Sequence, residues 1–322
     1  MRAVVTGAAG FIGSRLCARL LADGHLVLGV DCLTDYYDPD VKMANLSALV
    51  DLPGARFEWC AADLSRDNVA DLVDGAEVVF HLAGQPGVRP SWGDGFDAYL
   101  RHNLAATQRL LEALRTHPAR LVFASSSSVY GEAQTLPVAE SHPSAPISPY
   151  GMSKAACEQL VHMYAAYGVE AVTLRYFTVF GPGQRPDMAF HRFIGNALAG
   201  RSVEVLGDGA QSRDFTFVDD AVSATVAAAS APAGAVYNVG GGCRATVNDV
   251  IAVIADMVGG VPVARRERAA GDVRDTWADT TAARRDLGWR PTTDLATGLA
   301  AQVTWMRERL SPAVGPLAAA PA

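Results

Sequence analysis

The chain predicts an α/β fold: a doubly wound parallel sheet followed by a smaller C-terminal α/β lobe. Two observations carry that reading. Short apolar runs alternate with amphipathic segments through the first half, and the runs are continuously apolar rather than alternating. Strands buried on both faces, as in a parallel sheet covered by helices, read in that way. A glycine triplet also follows the first run directly and opens the first amphipathic segment, the place where such a sheet receives a phosphate.

In order, RAVVT (2–6), LVLGVD (26–31), RFEWCAADL (56–64), EVVFHLAG (77–84), RLVFASS (120–126) and AVTLRYF (171–177) are the expected strands. Helical patterns lie at 13–23, 66–74, 96–116 and 149–167. After residue 178 the rhythm loosens: VEVLG, RDFTF and AVYNVG read as short strands among helices near 188–199, 218–230, 246–258 and 294–309. The expected organisation is a dinucleotide-binding domain over 1–178 and a substrate lobe over 179–312, with segments near 218–250 partly returning to the first. Residues 313–322, small and proline-bearing, are expected to form a disordered tail. A ligand belongs in the cleft between the two units.

Composition excludes several classes. Of 322 residues half are apolar, enough for a large core, and 34 acidic against 27 basic residues leave a net charge of −7. Neither nucleic acid nor a membrane surface attracts that charge. The run ARRER (264–268) is short and isolated, and reads as a solvated helix or strand end. Five cysteines (17, 32, 60, 157, 243) are scattered without CxxC spacing, which fits reduced cytoplasmic thiols and no metal site. The first residues already read as a strand, leaving no room for a signal peptide. The apolar stretch 221–239 is broken by Ser, Pro and Gly and does not read as a membrane span. Only Lys42 and Lys154 are lysines, which marks two places where an ammonium is needed.

VVTGAAGFIGSRL places Gly7, Gly10 and Gly13 between the first strand and the first helix, in GxxGxxG spacing. Such glycines allow a tight turn and the close approach of a pyrophosphate to a helix N-terminus. Asp31 closes the second strand 18 residues after Gly13, suited to the adenosine ribose hydroxyls. Its carboxylate repels a 2′-phosphate, so the cofactor expected is NAD rather than NADP. Asp63 follows the third strand and either reaches the adenine or caps a helix. HLAG (81–84) lets backbone pass close to the cofactor, with Asn103 on the next helix.

SPYGMSKAA holds Tyr150 and Lys154 four apart on one helical face, and SSSSVYG (125–131) ends a strand in hydroxyls. Tyrosine ionises near pH ~10 in isolation, so a phenolic base needs positive charge beside it. The glycine loop, the serine run and the scarce lysine together point to a dehydrogenase-type centre.

With these motifs the chain resembles the extended short-chain dehydrogenase/reductase family, and within it the nucleotide-sugar epimerases. The resemblance runs from residue 1 to about 310 and rests on GAAGFIG, HLAG, SVYG, YGMSK, GPGQRPD, SRDFTFVDD, YNVGGG and GDVRDTWAD. It implies a Rossmann-type domain loaded with tightly held NAD, a nucleotide-sugar-binding second lobe, and a homodimer packed through helices like 96–116 and 149–167. Carried over residue by residue, it implies cofactor contacts from Gly7, Gly10, Phe11, Ile12, Gly13, Asp31, Lys42, Asp63, Leu64, Leu82, Ala83, Gly84, Asn103, Ser125, Tyr150, Lys154 and Tyr176. Catalysis falls to Tyr150, Lys154 and Ser126. Substrate contacts fall to Gln85, Arg89, Ser127, Ser128, Thr178, Arg185, Arg213 and Arg274, with the last two on the diphosphate.

RYFTVFGPGQRPDMA, HLAGQPGVR and DYYDPDVK are similar to the epimerases that act on UDP-glucuronate. Family members that eliminate or decarboxylate carry an acid where Ser128 stands, and galactose-type epimerases carry Asn where Thr178 stands. Asp31-Cys32-Leu33-Thr34, Trp92 and Phe180 depart from the subgroup's pattern. The expectation is C4 epimerisation of UDP-glucuronate to UDP-galacturonate through a 4-keto sugar, with Arg185 meeting the C6 carboxylate as a planar fork. UDP-glucose/galactose 4-epimerisation and UDP-glucuronate decarboxylation are the alternatives, and a non-catalytic NAD-sensing protein is the remote one.

Overall fold

The computed structural model describes residues 1–267 and 271–310. Its centre is built from strands whose middle residues, among them Val4, Val5, Val79, Phe80, Leu121, Val122 and Val172, are all but inaccessible to water. Only helices on both faces of a sheet produce that burial.

The first half alternates β1 (Arg2–Thr6), α1 (Phe11–Ala22), β2 (Leu26–Asp31), α2 (Pro39–Val50), β3 (Phe57–Ala61), α3 (Val69–Val73) and β4 (Val78–His81). There follow α4 (Phe96–Tyr99), a π-helical turn (Leu100–Ala105), α5 (Ala106–Thr116), β5 (Arg120–Ser126), α6 (Pro149–Ala165) and β6 (Ala171–Tyr176). The second half adds β7 (Val179–Phe180), α7 (Ala189–Leu198), β8 (Val203–Leu206), β9 (Ser212–Asp214), β10 (Thr216–Phe217) and α8 (Val218–Ala228). It closes with β11 (Val236–Val239), β12 (Arg244–Thr246), α9 (Val247–Val258), β13 (Val263–Arg266), α10 (Thr281–Leu287) and α11 (Leu295–Leu310).

Seven strands, all parallel, form the central sheet in the order β11-β6-β5-β4-β1-β2-β3. This is the Rossmann-type order extended by one strand, and its direction reverses between β1 and β4. Helices α3, α5 and α6 pack on one face through Leu110, Leu111, Leu114 and Cys157. On the other face α1 and α8 continue without interruption into the C-terminal segments, so one apolar cluster runs from Val5 through Phe190, Phe215 and Ile254 to Met306. The return near 218–250 is thus structural: β11 is a strand of the main sheet, and Arg15 of α1 pairs with Asp219 of α8 at 2.7 Å.

Several expected boundaries move. Strand β3 stops at Ala61 because Asp63 turns the chain, accepting from the Ser65 backbone N–H at 2.9 Å. The helix expected over 96–116 is interrupted by the π-turn, which rotates Asn103 inward. RDFTF splits into β9, paired with β12, and β10, paired with β7. Helix α2 was hidden inside the DYYDPDVK motif; Asp38 caps it and Pro39 starts it. Arg265 and Arg266 of ARRER lie on β13, where Arg266 meets Glu204 at 3.0 Å. The expected tail, 313–322, and residue 268 lie outside the described residues. Among the described residues no helix is long and apolar enough to cross a membrane.

His81 ends β4 fully enclosed, its ring nitrogens 2.7 Å from Thr6 Oγ1 and 3.0 Å from Thr107 Oγ1. Burial, with Lys154 adding to it, pulls its pKa down from 6.5 to about 3. The folded state therefore refuses a proton that the unfolded chain accepts: the stability is intact above pH 6.5 and is lost progressively toward pH 3. Urea midpoints should fall through that window, with His81 adding up to about 1.4 kcal/mol per pH unit to the slope. A His81→Gln variant should show a shallower slope; an unchanged one would refute the assignment.

Candidate active site

The carboxyl ends of the parallel strands converge on one cleft. Its wall takes Gly7, Gly10, Phe11, Ile12 and Gly13 from the turn into α1, Asp31 from the end of β2, and Asp63 and Leu64 from beyond β3. Leu82, Ala83, Gly84 and Gln85 follow β4, Ser125 lies on β5, Tyr150 and Lys154 come from α6, Tyr176 from β6 and Arg185 from the turn beyond β7.

The glycine turn is tight for physical reasons. Gly7 sits at φ +74°, and a Cβ on Gly13 would stand 2.0 Å from the Gly7 carbonyl oxygen. Helix α1 begins at Gly10 with no side chain capping it, so its first N–H groups face the cleft as a dinucleotide pyrophosphate requires. Asp31 accepts from the backbone N–H of Ala9 at 3.1 Å and of Leu33 at 2.8 Å. These bonds tie the two turns together and hold its carboxylate at the cleft, where ribose hydroxyls would meet it. Lys42 Nζ donates to the Thr34 carbonyl at 2.6 Å and lies 4.8 Å from the Tyr37 ring; burial holds its pKa below the usual lysine value. The donor set fits NAD.

At the other end Lys154, 6% exposed, donates to the Ala124 carbonyl at 2.9 Å and lies 5.2 Å from the Phe123 ring. Ser148 starts its helix by accepting from the Gly151 N–H at 3.1 Å. That cap fixes Tyr150 one turn before Lys154, with its ring 6.0 Å from Tyr99.

Not every expected residue lies on the wall. Asn103 is buried behind it: Oδ1 accepts from the Gln85 N–H at 2.7 Å, while Nδ2 donates to the Gln85 carbonyl at 3.2 Å and Ser153 Oγ at 2.9 Å. It shapes the turn after β4 rather than facing a ligand. The Ser126 hydroxyl caps the 3-10 turn of Ser127 and Ser128, accepting from the Ser128 N–H at 3.2 Å. Ser125, its neighbour on the wall, donates to Glu158, which is paired with Arg175 at 2.7 Å. Thr178 is half-buried beside the β7–β10 pair and accepts from the Thr216 N–H at 2.9 Å through its carbonyl. Arg89 pairs with Asp272 at 2.7 Å. Arg213 donates to the carbonyls of Ser212, Val273 and Arg274, which puts it and Arg274 side by side. Arg89, Arg213 and Arg274 stand away from the cleft wall.

Sequence reasoning missed Tyr36, Tyr37, Thr34, Cys32 and His102, all on the wall. Their signal was position, since each chain stretch that leaves a parallel strand at this edge meets the ligand space. It also missed Asp187, which grips Arg185: Nε donates to Oδ1 at 2.9 Å and Nη2 to Oδ2 at 3.0 Å.

Residues 3–240 match the NAD dependent epimerase/dehydratase family. The chain is 44% identical over 315 residues to an uncharacterized UDP-glucose epimerase, YtcB, of Bacillus subtilis (strain 168), covering 95% of this chain and 98% of that one. It superimposes on the UDP-glucuronic acid 4-epimerase of Bacillus cereus, solved with UDP-glucuronic acid and NAD, with a TM-score of 0.92, 38% identity, and 96% and 99% of the two chains covered. MoeE5, solved with NAD and UDP-glucuronic acid, gives a TM-score of 0.87 at 42% identity over 96% of this chain and 100% of that one. It has also been solved with NAD and UDP-glucose. The chain belongs to the NAD-dependent epimerase/dehydratase family, as an enzyme of the nucleotide-sugar epimerase class with NAD as its cofactor.

A methyl group at Gly13 would press on backbone that cannot move aside. Gly13→Ala should keep its far-UV circular dichroism but weaken NAD binding about ten-fold or more, given the ~1–3 kcal/mol cost of overpacking. Calorimetric titration with NAD measures it; unchanged affinity would remove the turn from the cofactor site.

Proposed function

We propose that the protein interconverts UDP-glucuronate and UDP-galacturonate by NAD-dependent epimerisation at C4. One observation carries the choice of sugar: Arg185 lines the same cleft as Tyr150 and Lys154, so a cation stands within the space where the sugar reacts. The chemistry that NAD supplies when bound is reversible hydride transfer at C4. Tyr150, as its phenolate, takes the O4 proton and later returns it, and the Lys154 ammonium offsets the negative charge of that phenolate. Between the two transfers the 4-keto sugar turns over while the diphosphate stays held. The serine run after β5 supplies hydroxyl donors, and Ser128 stands where an elimination or decarboxylation enzyme would need an acid. A fixed Arg185 also keeps the carboxylate of the β-keto acid out of line with the carbonyl π system, which suppresses loss of CO₂.

We place the enzyme in the cytoplasm as a homodimer. Five free thiols fit a reducing compartment. The exposed apolar side chains of Leu100, Met152 and Met163 lie on the helices that would pack between copies.

A second reading, C4 epimerisation of UDP-glucose, is favoured by one contact. Asp187 already satisfies Arg185, so a neutral sugar leaves no bare cation behind.

Incubation of the purified enzyme with UDP-glucuronate, without added NAD, should yield UDP-galacturonate by chromatography and mass spectrometry. Turnover of UDP-glucose alone would select the second reading, and a UDP-pentose would select decarboxylation. Tyr150→Phe should lose about 10²–10⁴-fold in kcat while retaining NAD; wild-type rates would refute its role as the base. Arg185→Ala should weaken catalysis on UDP-glucuronate about ten- to hundred-fold, the worth of a charged hydrogen-bond pair, and release some UDP-pentose. Full turnover by that variant would exclude the clamp.

A further inference from the structure

The guanidinium of Arg185 carries five N–H donors, and Asp187 takes two of them side-on, from Nε and Nη2. Arg185 lines the cleft, whereas Asp187 does not. The carboxylate grips the guanidinium along its Nε–Nη2 edge. Asp187 Oδ2 also accepts from Tyr36 Oη at 3.2 Å. Tyr36 belongs to the stretch between β2 and α2 that begins at the ribose-facing Asp31, and its ring centroid lies 6.0 Å from the Arg185 guanidinium carbon. Burial first, then the Asp187 charge, pushes the Tyr36 pKa up to about 12, so its hydroxyl stays a donor to that carboxylate. Gly87, at φ +98°, leaves room for the hydroxyl, since a Cβ there would stand 2.6 Å from Tyr36 Oη.

Three hydrogen bonds thus converge on one carboxylate and fix a side chain that otherwise has four rotatable bonds. Both hydrogens of Nη1 and the second hydrogen of Nη2 remain, which is the end-on edge of the fork. That edge is itself a bidentate site for a carboxylate. Fixing it in advance removes rotamer entropy, about 0.5–1.5 kcal/mol for one long side chain, from the cost of binding.

We infer that Asp187 and Tyr36 are positioning residues for substrate charge: they hold Arg185 so that its Nη1–Nη2 edge meets the sugar carboxylate. The inference deepens the proposed function and rests on it for the identity of the sugar. It makes discrimination between an acidic and a neutral sugar depend on two residues that act through Arg185. It also links the stretch after β2 to the turn beyond β7, through the Tyr36 hydroxyl on Asp187.

The test compares affinities, which need no turnover. In the NAD-loaded Tyr150→Phe enzyme, calorimetry gives dissociation constants for UDP-glucuronate and UDP-glucose, with and without Asp187→Asn or Tyr36→Phe. Asp187→Asn should weaken UDP-glucuronate about ten-fold and UDP-glucose less than about two-fold, in line with the loss of a partner that orients a binding group. Tyr36→Phe should act in the same direction and less strongly, and Asp187→Glu should restore part of the loss. With Tyr150 present, the same substitutions should raise KM for UDP-glucuronate and leave kcat nearly unchanged. Equal weakening of both sugars would mark a merely structural role, and unchanged or tighter binding of UDP-glucuronate would mark Asp187 as a competing anion. Either result overturns the inference. If the wild-type enzyme fails to turn over UDP-glucuronate, the proposed function falls, and the affinity ratio still decides the role of Asp187.

Discussion

The site depends on one buried ammonium. Lys154 is held against the Ala124 carbonyl at 2.9 Å and near the Phe123 ring at 5.2 Å, at the place where β5, α6 and the turn after β4 meet. Withdrawing a charge from water costs several kcal/mol unless polar partners replace the water, and a carbonyl with an aromatic face replaces only part of it. The remaining charge is directed into the cleft. The neighbourhood is shaped to accept this. A Cβ on Gly84 would stand 3.4 Å from Nζ and 2.8 Å from Asn103 Oδ1, and His81 close by is kept neutral partly by the same charge. Replacing lysine by the arginine used elsewhere in this chain would put a planar fork where only a point charge has room.

From this point the rest of the cleft follows in register. Tyr150 is set by helix periodicity and the Ser148 cap, and Gln85 by two hydrogen bonds with Asn103, whose third goes to Ser153. The π-turn that carries Asn103 lets a buried amide face the turn after β4 while α5 continues on the outer face of the sheet. An irregular helical turn costs hydrogen-bond geometry. Here it holds in shape a turn that carries no large side chain of its own.

The sheet and the glycine turn were legible because they are written locally. A continuously apolar strand, a glycine against backbone and an acid at a strand end each signal within a few residues, and Gly7, Asp31, Tyr150 and Lys154 stand on the cleft as that reading requires. What escaped was written across the chain. Asp187 reads as an ordinary loop acid until Tyr36, 151 residues earlier, is beside it. Ser126 and Ser125 are chemically alike in sequence, and only the 3-10 turn decides that one caps it while the other faces the cleft. The interruption in 96–116 escaped because a π-turn keeps the amphipathic pattern and shifts only its phase.

An unheld arginine in a sugar site would lose rotamer freedom each time it met a carboxylate. With Asp187 on its Nε edge, Arg185 is held in place before a carboxylate arrives, and its end-on pair stays available to an acidic sugar. Discrimination in such a site is graded rather than absolute, and it is set by how rigidly the fork is held. On the proposed reading, choice of sugar in this chain rests on the carboxylate behind the arginine as much as on the arginine itself.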